Sequence, residues 1–326
     1  MGRRDDMRAA LECRRPQGAV PIWELSFHCW DQASGRHLVL GREFEALRPA
    51  EQERALHSNA EIIVEVSEEF HYAAVTVPAN YWEVAPGVPS YYWLPDSARW
   101  RQVSILREHA GEDLMLVAGT GGVITPPTDG FVEFCYKVLD APEEIDARAK
   151  ACLKDGLEAA RRFRDLGVEA VYTASDIADN HGPFFNPQQM QRFVLPYLHE
   201  WAEGVKRLGL YAILHTDGDI NPCLEDLASS GTHALQAIDP VAGMDIRDVK
   251  RRVGGKVCLC GNMHCGLLLT GPARRVYEEA RRLLQDCMAG GGFVLGASNA
   301  VFPETPIEHY RAMIRAWEDG GQYGAG

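Results

Sequence analysis

The sequence predicts an α/β protein built as a (β/α)8 (TIM) barrel, and three observations carry that prediction. Short apolar, β-branched runs alternate with longer amphipathic ones along the chain, the pattern of parallel strands joined by helical crossovers. The phrase helix, glycine, short apolar strand recurs as DLGVEAVYTAS, RLGLYAILHTD and SSGTHALQAID, placing Gly167, Gly209 and Gly231 where helices stop. Eight strand candidates fall within 326 residues, which suits a barrel of roughly 250 residues plus insertions.

The strand candidates are Val20–Glu24, Ala73–Val77, Leu114–Gly119, Glu169–Ala174, Tyr211–Leu214, Ala234–Ile238, Lys256–Cys260 and Gly292–Gly296. Helices are expected over Arg42–Ser67, Pro142–Leu166, Pro187–Leu208, Ile220–Ser230, Asp245–Val253, Pro272–Met288 and Pro306–Trp317. Asn186-Pro187 and Thr305-Pro306 put a cap-type residue before a proline at the first helical turn, as helix starts favour. An open doubly wound sheet is the alternative. It is less favoured because Gly119-Thr120-Gly121-Gly122 is not followed by a helix, as a phosphate-binding loop would be. The chain is expected to form one domain over residues 1–326, with an N-terminal extension at about 1–18 and an aromatic insertion at about 80–100.

Hydrophobic content of 46% and charged content of 24% are those of a soluble globular protein. No run is long and apolar enough for a transmembrane helix, and MGRRDDMRAALECRRPQ lacks the apolar core of a secretory signal. Nine cysteines in a chain this long form no small disulfide framework, so reduced thiols and a cytoplasmic location are expected. The net charge of −13 argues against nucleic-acid or anionic-membrane binding, which needs a basic face.

In a barrel the functional positions lie just past each strand. Here they are Glu24, Asn80, Gly119–Gly122, Ser175-Asp176, His215 with Asp217, Asp239, Gly261-Asn262 and Ser298-Asn299. The most informative stretch is Tyr211–Gly218, YAILHTDG, where an apolar strand turns at once to His, Asp and Gly. Taken alone it also reads as a strand followed by an Asp-Gly turn; the whole set facing one mouth is the stronger signal. The insertion NYWEVAPGVPSYYWLPDSARW carries Trp82, Trp93 and Trp100. It reads either as a loop packed by its aromatics or as a wall enclosing an apolar substrate, which Trp23, Phe27 and Trp30 would join. Cys258 and Cys260 lie two apart and share a strand face; they read as small core residues, with Cys260 as a mouth ligand the alternative. His181 reads equally as a structural hydrogen-bonding group or a catalytic one.

Four stretches resemble the uroporphyrinogen decarboxylase superfamily: SDIADNHGPFFNPQQMQRFVLPYL (175–198), LHTDGDINPCLEDLASSG (214–231), DPVAGMDIRDVKRRVGGKVCLCGNM (239–263) and GASNAVFPETPIEHYRAMI (296–314). The resemblance implies a TIM barrel and is closer to the cobalamin-dependent methyltransferase and O-demethylase branch than to true uroporphyrinogen decarboxylases. The latter have Met-Arg-Gln-Ala-Gly-Arg after the first strand and a late Gly-His-Gly. Here those places read WELSFHCWDQASGR, without that arginine, and Ser298-Asn299-Ala300.

The methyltransferase branch generally holds zinc by His-x-Cys and a late Cys, at positions matching His215, Asp217 and Asn299. Zinc accepts His and Asp, whereas Asn is a poor ligand, so Glu24, Asp176 or Glu83 would have to complete a site. The resemblance thus implies an enzyme moving a methyl group from a small methyl ether or amine, aromatic ones included, to a corrinoid on a partner protein. His215, Asp217 and Asp176 are the implied catalytic residues, with His215 and Asp217 as metal ligands. Trp23, Glu24, Asn80, Trp82, Asn262 and Asn299 are the expected substrate contacts. Superfamily members are often dimers, which allows a homodimer here. Two other readings stay open: a metal-free decarboxylase of a small acid using Asp176 and His215, and a barrel that binds a small molecule without turnover.

Overall fold

The computed structural model describes residues 2–80, 83–85, 88–89, 93–127 and 129–324. Seven parallel strands form one curled sheet. In chain order they are β1 (Ala74–Thr76), β2 (Met115–Gly119), β3 (Ala170–Ala174), β4 (Tyr211–Thr216), β5 (Ala234–Ala237), β6 (Cys258–Cys260) and β7 (Phe293–Val294). Each pairs with its sequence neighbours, and the helices between them are the crossovers that parallel pairing requires. The eighth position is filled by the chain around Ile22, which bridges Tyr72 on one side and Leu295 on the other, both parallel. The Ala73 N–H donates to the Ile22 carbonyl (2.9 Å), and the Leu295 N–H donates to the Pro21 carbonyl (2.9 Å). The sheet is therefore closed, and the fold is a (β/α)8 barrel.

The strand expected over 20–24 is shorter than its apolar run because Pro21 has no N–H to donate. The last strand shrinks to two residues because Gly291 and Gly292 enter it with φ of +80° and +64°. Prolines account for the helix differences as well. The helix expected over 42–67 splits into Gly41–Glu45 and Pro49–Glu69, with Pro49 in the first turn of the longer piece. The helix expected over 187–208 begins at Pro187 but widens into a π-turn at Met190–Val194 before resuming as Leu195–Arg207. Pro196 lacks the N–H that would bond one turn back. The Asn186 cap is present: its side chain accepts from the Gln189 N–H at 2.9 Å.

The N-terminal extension is a structural plug rather than a tail. Its helix, Arg3–Leu11, buries Met7, Ala10 and Leu11 in one cluster with the inward residues Ala170, Ile213, Ala234 and Cys258. Asp6 accepts from the Gly18 and Ala19 N–H groups at 3.0 and 3.1 Å. Arg4 and Arg8 pair with Glu169, just before β3, so this helix seals the end of the barrel where the strands begin. The opposite end, where strands finish, stays available for chemistry.

Of the aromatic insertion, Asp96–His109 is helical, and Trp100 lies on that helix with its ring 4.7 Å from Phe163. Trp100 is thus a packing residue at the helix layer. Trp82 and the side chains of Asn80 and Glu83 lie outside the described residues. Among the described residues no helix is long and apolar enough to cross a membrane.

Candidate functional site

Period-two alternation decides which side chains reach the barrel interior. In β4, Tyr211 and Ile213 pack in the interior cluster, while Ala212 and Leu214 face the helices. His215 continues the inward series at the strand end and is 5% exposed. Its register partner on β5 is Gln236, also buried and inward-facing. The Gln236 Nε2 donates to the carbonyls of Ser298 (3.0 Å) and Ala297 (3.3 Å). That fixes the amide orientation, so Oε1 must face the ring and accept from His215 Nδ1–H. The ring is thereby held with its Nε2 lone pair directed elsewhere.

That lone pair faces two carboxylates. His215 Nε2 lies 3.7 Å from Asp176 Oδ1 and 4.0 Å from Asp217 Oδ2. One donor atom from each of Asp176, His215 and Asp217 falls within 4.8 Å of the others. These distances are too long for direct hydrogen bonds. Three acceptors converging with no hydrogen bond from one to another leave a place for a cation or a shared proton. The Asp217 Oδ1 atom is buried and has no hydrogen-bond partner, an orphaned acceptor of the kind a metal ion satisfies. Zinc takes His nitrogen and Asp oxygen, so the donor set fits it.

The surrounding backbone holds the three in place. The Asp217 N–H donates to Asp176 Oδ1 (3.1 Å). Asn299 donates its amide N–H to Asp217 Oδ2. Asp239 accepts from the Gly218 N–H (3.3 Å) and the Val241 N–H (2.9 Å), tying the loops after β4 and β5 together. Gly218 has φ of +91°, and a Cβ there would come 2.6 Å from the Ala178 backbone, so the Asp-Gly of HTDG is dictated by a close approach. Burial raises the Asp217 carboxyl to about 6; His215 opposes that shift, Asp176 and Asp239 add to it, and the Asn299 hydrogen bond opposes it. A carboxyl poised near neutrality beside a buried histidine makes this cluster the candidate site.

Other expected contacts are placed differently. Glu24 is 2% exposed; its carboxyl oxygens accept from the Ala297 N–H and the Tyr310 hydroxyl, both at 2.9 Å. Trp23, also 2% exposed, fills the barrel interior and donates its indole N–H to Thr76 at 3.0 Å. Neither offers a surface to a bound molecule, because at these strand ends the side chains turn into the protein rather than toward the mouth. Asn262 is buried and commits its amide to the Ile238 carbonyl at 2.7 Å. It supports a backbone in which Ala237 and Ile238 take φ of +98° and +47°, a strained conformation for residues with a Cβ. Asn299 is at the cluster, as a donor to Asp217 rather than a ligand. Asp176, at the rim, is the group that completes the cluster. Cys258 and Cys260 are buried in the interior cluster, and His181 is exposed.

The family described as Uroporphyrinogen decarboxylase (URO-D) matches residues 100–319. The chain belongs to the URO-D family. Membership of that family does not by itself fix the reaction, since its relatives carry two kinds of name. The methylcobamide:CoM methyltransferase MtaA of Methanosarcina barkeri (strain Fusaro / DSM 804) is 25% identical over 224 residues, covering 67% of this chain and 62% of the relative. The uroporphyrinogen decarboxylase of Shigella dysenteriae serotype 1 is 29% identical over 221 residues, covering 65% of this chain and 61% of the relative. The chain thus matches less than two thirds of the length of these relatives. Among solved structures, a methyltransferase from Methanosarcina mazei superposes with a TM-score of 0.65 at 20% identity, covering 98% of this chain and 99% of that one. It is similar in fold.

Proposed function

We propose that this URO-D family protein is a metal-assisted methyltransferase that moves a methyl group from a small methyl ether or amine to a corrinoid carried by a partner protein. The observation carrying this reading is the Asp176–His215–Asp217 cluster, in which three acceptor atoms converge at the end of β3 and β4. His215 and Asp217 occupy the places where the methyltransferase branch has His-x-Cys, which favours that branch. The surface arginine nearest the first strand end, Arg36, pairs with Glu61 and Glu65 on the outer helix. That pairing weighs against Arg36 as a carboxylate-binding arginine of a decarboxylase.

Zinc, when bound, supplies Lewis-acid polarisation of the heteroatom that carries the methyl group. The residues present it with hard donors. His215 offers Nε2 because Gln236 keeps the proton on Nδ1, and Asp176 and Asp217 offer carboxylate oxygens. Asn299 and the Asp217 N–H hold the two carboxylates in register. A methylated oxygen or nitrogen is the matching substrate atom, since hard ligand sets suit hard partners. Asp176, the exposed member, sits where substrate enters, and the buried floor of His215 and Gln236 excludes water.

Metal content of the wild type and His215→Ala, purified after zinc-supplemented expression, tests the cluster. About one zinc per chain in the wild type and its loss in the variant is expected. Incubation with reduced cobalamin and a panel of methyl ethers and amines then tests transfer through methylcobalamin formation. No metal in either sample, or no product across the panel, would count against the proposal.

A further inference from the structure

A cavity of about 320 Å³ lies apart from the His215 cluster, between the ends of β1 and β2 and the helices Asp96–His109 and Pro142–Asp165. Val77, Ala79, Ala159 and Phe163 supply its apolar side, and Arg99 and Thr120 are among its polar groups, the two kinds of surface being nearly balanced. Its size is at the lower end of small-molecule pockets.

Arg99 is the unusual member. Its guanidinium stands 4.1 Å from the Trp100 ring, and that of Arg162 stands 3.6 Å from the same ring. Two like charges thus crowd one indole. The nearby carboxylate is Asp96, whose Oδ1 is 3.0 Å from Arg99 Nε but which is 72% exposed. Arg99 Nε is buried and makes no hydrogen bond, Asp96 being out of line with it. Burial disfavours the Arg99 cation most, the Asp96 charge opposes that, and the Arg162 charge adds to it. Beyond its ion pair with Asp96, a guanidinium whose buried N–H makes no hydrogen bond gains from an acceptor placed in the cavity it lines.

We propose that this cavity binds the carboxylate of a small organic acid, with Arg99 pairing the anion and the apolar wall taking the hydrocarbon body. A planar guanidinium matches a carboxylate in two-point geometry. Val77, Ala159 and Phe163 on the other side offer contact to an apolar body. The inference stands independently of the methyltransferase reading, because none of its residues belongs to the His215 cluster.

Benzoate is the probe, titrated calorimetrically into the full-length protein, with benzamide as its neutral isostere and inorganic phosphate as a third arm. Benzoate is expected to bind, and benzamide to bind roughly 10–100-fold more weakly, the loss expected for a charge-assisted hydrogen bond. Arg99→Gln should lose benzoate binding by a similar factor. Ala159→Leu, which fills the cavity without touching the guanidinium, should lose it too while the thermal midpoint shows the fold intact. Failure of benzoate to bind the wild type, wild-type affinity in both variants, or equal binding of benzamide would overturn the proposal. Phosphate binding as tight as benzoate would overturn the apolar-body assignment.

Discussion

Replacing Gln236 by leucine tests the site through a residue that touches neither substrate nor metal. Leucine keeps approximate volume and removes every polar contact. The His215 Nδ1–H and the carbonyls of Ala297 and Ser298 lose their partner. With Nδ1 unsupported, the neutral ring is free to carry its proton on Nε2, the nitrogen facing the carboxylates. Loss of an outer partner to a ligating histidine typically reduces metal affinity about 10–100-fold. Each buried polar group left unpaired costs about 1–3 kcal/mol, so the variant should also melt earlier. Zinc affinity measured by chelator competition, alongside thermal unfolding, separates the two effects. Gln236→Glu, which restores an acceptor for Nδ1, should recover affinity more than stability. Wild-type zinc affinity in Gln236→Leu would refute the assignment of Nε2 as the ligand nitrogen.

Further expectations concern the scaffold. Burial raises Glu24 to about 8 from an ordinary 4.5, outweighing hydrogen bonds from Ala297 and Tyr310. The folded protein therefore holds this proton more tightly than the unfolded chain, and stability should fall as pH rises from 4.5 to 8. Glu24→Gln should flatten that slope in denaturant titrations at pH 5 and pH 9; an unchanged slope would dismiss Glu24 as its source. Gly218→Ala should destabilise by about 1–2 kcal/mol through the left-handed backbone and a further ~1–3 kcal/mol through the clash with Ala178, read by urea unfolding. A loss under about 0.5 kcal/mol, the usual surface effect, would contradict the packing of that turn.

The barrel and the cluster were legible in the sequence because both follow from local rules. Glycine-terminated helices announce β3, β4 and β5, and polar residues past strand ends announce the mouth. What the rules omit is direction. Glu24 and Asn262 follow strands as His215 does, yet their side chains turn into the protein to Ala297 and Ile238. Gln236 escaped notice because ALQAID reads as an ordinary apolar strand. Its signal was parity: Ala234 faces inward, so Gln236 does too, beside His215 in register. Pro49 and Pro196 were equally plain in sequence, and each shifted a helix in the way a missing N–H requires.

Asn299 shows how one substitution changes a site's chemistry without dissolving it. The family resemblance puts a thiolate ligand at this position, and an amide cannot replace it. Here the amide donates to Asp217 Oδ2, while Asp176 Oδ1 approaches His215 Nε2 to 3.7 Å. On the proposed reading, Asp176, which follows the strand next to that of His215, serves as a ligand, and Asn299 orients the set. Asn299→Ala should then free Asp217 and lower zinc affinity by about tenfold, as for other outer-shell partners, while leaving the donor atoms intact. Asn299→Cys discriminates further. If the position has only an orienting role, a thiol there should bind zinc no better than alanine does; affinity above that of the wild type would mean that a side chain at 299 reaches the metal and would refute the purely orienting role.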